Sequence, residues 1–250
     1  MKSSRRLMAL AVLFAASTSQ AQCLSDAQVE DFVGKYFAKT AAVNPPASSE
    51  EDGACTRAKL NAVFSKRLGK VIGYKAGLTN PAVQKRFNYD KPVWGKLYEG
   101  MLLPSGATVD AGFGAKPLFE ADMLVRVKSE AINQATTPME VLAAIDQVIP
   151  FIELPDLMVE SIPKLNGPAV AAINVGARLG GGKGSDILEH PLNAVVWLAQ
   201  ALAKEGLAMK PGELISLGSF SALLPPKPGL SASVSYEGLT GSAPVSVTFK

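Results

Sequence analysis

Leu118-Phe119-Glu120-Ala121-Asp122-Met123-Leu124-Val125-Arg126-Val127 is the stretch on which the fold turns. It is apolar and carries β-branched valines, so it reads as a largely buried strand. Successive strand residues alternate between faces, which points Glu120 and Asp122 the same way. Two carboxylates on one face of an apolar strand repel each other and are costly to bury unpaired. Something positive is therefore expected between them. Downstream, Thr137-Pro138-Met139-Glu140 forms a capping box with proline at the first helical position. The helix that it opens is expected to run to about Val148, and Ile149 to Leu154 then reads as the next strand. That strand carries a third acid, Glu153, inside Pro150-Phe-Ile-Glu-Leu-Pro155. If the two strands are neighbours, three carboxylates converge on a site for a hard, oxygen-preferring cation, Mg²⁺ or Mn²⁺ before zinc. The alternative is a solvated strand face with scattered acids.

The flanks alternate between helix and strand. Upstream, Ser25 to Thr40 and Thr56 to Leu68 read as helices, with a Pro/Ser/acidic loop from Ala41 to Asp52 between them, and Val71 to Ala76 as a short strand. Downstream, Val170 to Leu179 is a further candidate strand. Pro191 opens a helix to about Lys204. Lys210-Pro211-Gly212 is a turn before a strand from Leu214 to Leu217. Leu230 to Tyr236 and Val245 to Phe249 read as a closing hairpin. The mixture is α+β, strands dominate the C-terminal half, and no internal repeat is visible.

The N-terminus reads as an address. Lys2, Arg5 and Arg6 precede the apolar run Leu7 to Ala16, and Ser19-Gln20-Ala21 supplies small residues for a signal peptidase. The run is shorter than the about 20 apolar residues of a membrane span. Residues 1–21 are thus expected to be a cleaved secretory signal, 22–70 an N-terminal helical cap and 71–250 a catalytic domain, with a periplasmic or secreted location. A lipid anchor at Cys23 is disfavoured by Gln22 before it. Removing the three signal-peptide cations takes the formal charge from +3 to about zero, so neither nucleic acid nor, after cleavage, a membrane is indicated as partner. Two cysteines, Cys23 and Cys55, in an exported chain point to a disulfide, worth about 3–4 kcal/mol for a loop of this length. Two free thiols are the alternative.

Several segments carry a family resemblance. Gly73-Tyr-Lys-Ala-Gly-Leu-Thr79, Glu120-x-Asp122, Ile152-Glu-Leu-Pro-Asp156, Gly184-Ser185, His190-Pro-Leu-Asn-Ala-Val-Val-Trp-Leu-Ala199 and Lys210-Pro-Gly-Glu-Leu-Ile-Ser-Leu-Gly218 occur in order. Together they resemble the fumarylacetoacetate-hydrolase superfamily, in its branch of 2-keto-4-pentenoate hydratases and 2-oxo-acid decarboxylases. The resemblance implies a mixed β-roll or sandwich with flanking helices and a small N-terminal helical region. It implies that Glu120, Asp122 and Glu153 bind Mg²⁺ or Mn²⁺, and that the substrate is a small 2-oxo or 2-hydroxydienoic acid. It also implies a homo-oligomer. Lys75 is then the candidate catalytic cation, orienting the substrate carboxylate or moving a proton, against the alternative of an ordinary strand-end lysine. Asn174 and Ser185 are the substrate-binding candidates. His190, the one histidine, starts a helix in a segment that looks structural. The histidine–glutamate water activation of the C–C-hydrolase branch is therefore disfavoured.

The departures from that pattern concern the pocket. Asp122 stands where relatives usually carry glutamate, Leu157-Met158 where they often carry serine and arginine, and Ile173 where they carry an aspartate. Lys183, Ser185, Ser219 and Ser221 are candidates for lining an altered pocket. The expected function is a metal-dependent hydratase acting on a 2-hydroxy-2,4-dienoate or 2-oxo-4-enoate type acid. The alternatives are a 2-oxo-acid decarboxylase or tautomerase on the same scaffold, or a non-catalytic periplasmic binder of small acids.

Overall fold

Two capped helices open the part of the chain that a computed structural model describes, which comprises residues 23–174, 187–239 and 241–250. In α1 (Asp26–Phe37) the Ser25 hydroxyl accepts from the Gln28 amide while the Gln28 side chain returns to the Ser25 amide. α2 (Glu50–Leu68) starts well ahead of Thr56, where the apolar spacing placed it. Ser49 and Asp52 close a second capping box there, and Glu50, Glu51 and Asp52 sit at the positive end of the helix dipole. Acids that suggested a loop are thus the first turn of a helix.

The remaining elements are β1 (Val71–Gly77), α3 (Pro81–Arg86), β2 (Val93–Tyr98), β3 (Ala107–Val109), β4 (Glu120–Val127), α4 (Pro138–Ala143), β5 (Ile145–Glu153), α5 (Gly167–Ile173), α6 (Asn193–Lys204), β6 (Leu214–Ser216), β7 (Ser231–Val234) and β8 (Val245–Phe249). They form two sheets, a five-stranded one in the order β2-β1-β6-β4-β5 and a three-stranded one in the order β3-β8-β7. Both are mixed: β1 runs parallel to β6 and antiparallel to β2, and β8 runs parallel to β3 and antiparallel to β7. The fold is therefore α+β, two mixed sheets with flanking helices, in keeping with the expected roll or sandwich.

Two elements differ from expectation. The helix after the Thr137 capping box stops at Ala143, because Ile145 pairs with Val127, Gln147 with Arg126 and Val148 with Val125. Sheet pairing claims residues whose local pattern continues the helix. The strand expected from Val170 is instead the end of α5, capped by Asn166 with proline in its first turn; the rest of that stretch lies outside the described residues.

One core cluster fills the space between the sheets and α6, with Val125, Ile152, Leu198, Ile215 and Phe249 among its buried members. A second gathers Phe32, Leu60, Phe64, Tyr98, Val159 and Ala172, and so seats α1 and α2 on β2 and α5. Arg57 ties the same elements together. Its guanidinium lies 4.1 Å from the Trp94 ring centre, donates to the Ala171 carbonyl at 3.2 Å and pairs with Glu205 at 2.5 Å. Cys23 and Cys55 are joined, with their Cα atoms 5.6 Å apart, which fastens the chain before α1 to α2. No helix among the described residues is long and apolar enough to cross a membrane.

Candidate functional site

Register puts the acids together. Glu120 on β4 faces Glu153 on β5 as a paired position, and Asp122 follows Glu120 on the same face. β6 lies on the other side of β4, and its Ser216 is the register partner of Lys75 on β1. In a flat sheet β1 and β5 would stand about 14 Å apart at the usual strand spacing. Lys75 Nζ nevertheless meets Glu153 Oε1 at 2.6 Å, so the sheet curls around this face. Glu120 is 6% exposed, Asp122 0%, Glu153 1% and Lys75 5%.

Each acid is held separately. Asp122 accepts from the Ser216 hydroxyl at 2.5 Å, the Met123 amide at 2.5 Å and the Gly218 amide at 3.1 Å. The Tyr236 hydroxyl donates to the Asp122 carbonyl oxygen at 2.5 Å, which fixes the strand at this point. Glu120 takes a hydrogen bond from the Ser219 side chain. Gly218 has a positive φ of +99°, and a Cβ there would come within 2.2 Å of Thr79 Oγ1, so the chain can turn its amide toward Asp122 only with glycine at this position.

Burial raises the Glu120 and Asp122 carboxyls well above the ordinary carboxylate range, and the charge of Glu153 pushes both further up. The Ser219 and Ser216 hydroxyls and the Lys75 ammonium oppose that rise without cancelling it. Three buried acids thus share one cation. Their oxygens are turned to Lys75, the serines and backbone amides, and among the described residues no three His, Cys, Asp or Glu side chains form a ready-made metal cage.

A cavity of about 120 Å³ opens on the acids. Lys75, Glu120, Glu153, Asn174 and Ser219 line it on the polar side. Asn174 follows the last turn of α5, and its Nδ2 is buried without a hydrogen-bond partner among the described residues. Its backbone carbonyl presses on β2, where a Cβ on Gly95 would sit 1.6 Å from the Asn174 oxygen. Depressions of about 440 Å³ exist elsewhere, including one beside Arg57, Trp94 and Trp197. Among its acids Glu50 pairs with Lys91 and Glu205 with Arg57, so that surface holds no surplus of buried carboxylate.

Of the residues nominated from sequence, Lys75, Glu120, Glu153 and Asn174 line this cavity, and Asp122 lies fully buried behind Glu120. Ser185 and Lys183 lie outside the described residues. Ser221 accepts from the Ala121 amide and donates to the Ala222 carbonyl, a backbone strap away from the cavity lining. His190 is exposed, and its Nδ1 accepts from the Leu192 amide in the turn before α6. Ser216 and Tyr236 were not foreseen; the run Leu214 to Leu217 marked a strand, but nothing in it said which side chain meets Asp122.

No family model matches the chain. Among characterised proteins it is 29% identical over 203 residues to 4-oxalocrotonate decarboxylase of Pseudomonas putida, covering 70% of this chain and 76% of that one. It is 27% identical over 188 residues to 2-keto-4-pentenoate hydratase of Paraburkholderia xenovorans, covering 64% of this chain and 70% of that one. Its fold matches a crystallographic 4-oxalocrotonate decarboxylase of Pseudomonas putida G7 with a TM-score of 0.79 and 26% identity, over 90% of this chain and 97% of that one. That enzyme was solved with magnesium and adipate, and again with calcium and acetate.

Proposed function

We propose that this chain, a homologue in the 2-keto-4-pentenoate hydratase and 4-oxalocrotonate decarboxylase branch of the fumarylacetoacetate-hydrolase superfamily, is a hydratase that acts on a 2-hydroxy-2,4-dienoate or 2-oxo-4-enoate type acid with a divalent cation bound. The observation that carries the reading is the wall of three buried carboxylates opposed, among the described residues, by Lys75 alone. Such a surplus of negative charge is relieved by protons or by a cation. The donor set is all oxygen, which fits Mg²⁺ or Mn²⁺. Glu120, Asp122 and Glu153 would hold the ion, and when bound it supplies charge stabilisation for an enolate.

The chain's own groups do the rest. Lys75, held on Glu153, orients the substrate carboxylate or passes a proton. The free Asn174 amide donates to a substrate oxygen. The curled sheet and α5 restrict water around them. The reaction ketonises the dienol and then adds water across the conjugated alkene, a hydroxyl to one carbon and a proton to its neighbour, with no change in net oxidation state. The similarity to 4-oxalocrotonate decarboxylases favours decarboxylation as a second reading. The basic start, apolar run and Ser-Gln-Ala site support export to the periplasm or outside the cell, a setting that would suit a Cys23–Cys55 bridge.

Loss of dienoate ultraviolet absorbance, followed with and without Mg²⁺ or Mn²⁺ and with carbon dioxide release measured in parallel, tests this. Metal-dependent loss without carbon dioxide is the hydratase result. Stoichiometric release assigns decarboxylation. No turnover of any 2-oxo or 2-hydroxydienoic acid with either metal refutes the enzymatic reading.

A further inference from the structure

Asn174 turns its amide to the cavity, but the groups that hold it there lie outside the cavity lining. Its carbonyl oxygen fills the space that a side chain on Gly95 would take, and a Cβ on Gly77 would lie 3.2 Å from its Nδ2. Two strands thus present bare backbone to it, and Gly95 is also the register partner of Lys75. Trp94, the residue before Gly95, points to the opposite face of β2. There the Arg57 guanidinium stacks on its ring, 4.1 Å from the centre. One arm of the guanidinium donates to the Ala171 carbonyl in α5 at 3.2 Å, and the other to Glu205 Oε1 at 2.5 Å. The same Glu205 oxygen accepts the Trp94 Nε1–H at 3.2 Å, which fixes the indole under the guanidinium. α2, which carries Arg57, also meets α5 directly, since a Cβ on Gly53 would lie 2.6 Å from the Pro168 carbonyl oxygen.

We infer that Arg57 is a positioning residue for substrate binding: it clamps α5 to β2 and thereby aims the Asn174 amide into the cavity. This rests on the contact between Asn174 and substrate proposed above. Arg57 is not among the described residues that line the cavity, so it acts only through what it holds. A buried ion pair is weak grounds for stability, because apolar residues of similar volume often serve as well. What a guanidinium adds is a rigid planar fork that can stack while it donates. Here the fork joins α5, β2 and the end of α6, and Asn174 follows Ala171 by three residues. A lysine keeps a charge for Glu205 but cannot stack on Trp94 and reach the Ala171 carbonyl with a second arm. A hydrogen bond weakens steeply once its donor swings out of line, so a loosened α5 costs substrate affinity.

The test is calorimetric titration of 2-oxopentanoate, an unreactive 2-oxo acid, into the full chain with saturating Mg²⁺ or Mn²⁺, in a cycle of Arg57→Lys, Asn174→Ala and the double variant. Each single variant should bind about tenfold more weakly. The double variant should bind no more weakly than Asn174→Ala, because both changes remove the same contact. Losses that multiply to about a hundredfold, or wild-type affinity in Arg57→Lys, overturn the inference and leave the proposed site standing. No binding by wild type with either ion refutes the site and the inference together. Glu205→Gln reads the clamp from its partly exposed end, without touching Arg57. It should weaken binding only where Asn174 is present, and an equal loss in the Asn174→Ala background counts against the clamp.

Discussion

Lys75 and Glu153 form an ion pair of 2.6 Å with both side chains almost wholly out of solvent. A lysine that only orients substrate could be replaced without cost to folding. The pairing changes that expectation. Removing one partner of a buried pair leaves the other charge uncompensated, at a cost of about 3–5 kcal/mol. Lys75→Met should therefore melt lower than wild type when metal is chelated, recover part of the loss with Mg²⁺ or Mn²⁺, and lose turnover. Thermal unfolding with and without chelator, alongside rate measurements, checks this. Wild-type stability and rate in the variant would show that the pair carries neither role.

Asn174 gives the opposite signature. Its Nδ2 is a buried donor with no partner among the described residues, so Asn174→Ala removes an unsatisfied group and should hold or raise the melting temperature. Substrate affinity should fall, seen as a KM rise of about tenfold, consistent with roughly 1–1.5 kcal/mol for one hydrogen bond. An unchanged KM would remove Asn174 from the substrate contacts.

Gly95→Ala tests how Asn174 is positioned. The new methyl would lie 1.6 Å from the Asn174 carbonyl, so α5 or β2 must move. A loss of about 1–3 kcal/mol is expected from overpacking, together with weakened substrate binding. Equilibrium urea unfolding and KM measure the two effects; wild-type values for both would mean that the close approach is not maintained in solution.

Export and the cysteine pair are tested on protein from its native host. The mature N-terminus is expected at Gln22, with no thiol alkylated before reduction. Reduction should cost about 3–4 kcal/mol of stability. An intact Met1 on cytosolic protein, or two labelled thiols on exported protein, would contradict the proposal.

Strand β4 was legible because its apolar run carries β-branched valines and its two acids fall on one face. The capping box at Thr137 was legible because it is local chemistry. Much of what the sequence hid is non-local. Residues 145–148 follow a helix cap and carry helical spacing, yet β4 recruits them into the sheet. Ala169 to Ile173 reads as readily strand as helix, and the decision falls to Asn166 and the Gly-Pro start ahead of it. Strand β2 and helix α3 carry too little pattern for either to be placed, although β2 supplies the glycine on which Asn174 rests. The acids themselves could be named from residue type and spacing. The Ser216 hydrogen bond to Asp122 spans 94 positions in the chain, and only the folded sheet brings the two together.

The central claim is that Glu120, Asp122 and Glu153 form a cation site, and calorimetric titration of wild type and Glu120→Ala with Mg²⁺ and Mn²⁺, with a 2-oxo acid present, tests it most directly. Wild type should bind at least one ion, and Glu120→Ala should bind it about tenfold or more weakly, with metal-dependent turnover abolished. The variant's metal-free stability should be unchanged or higher, since one of three repelling acids has gone. Equal binding by the two proteins, or no binding of either ion by wild type, would contradict the account.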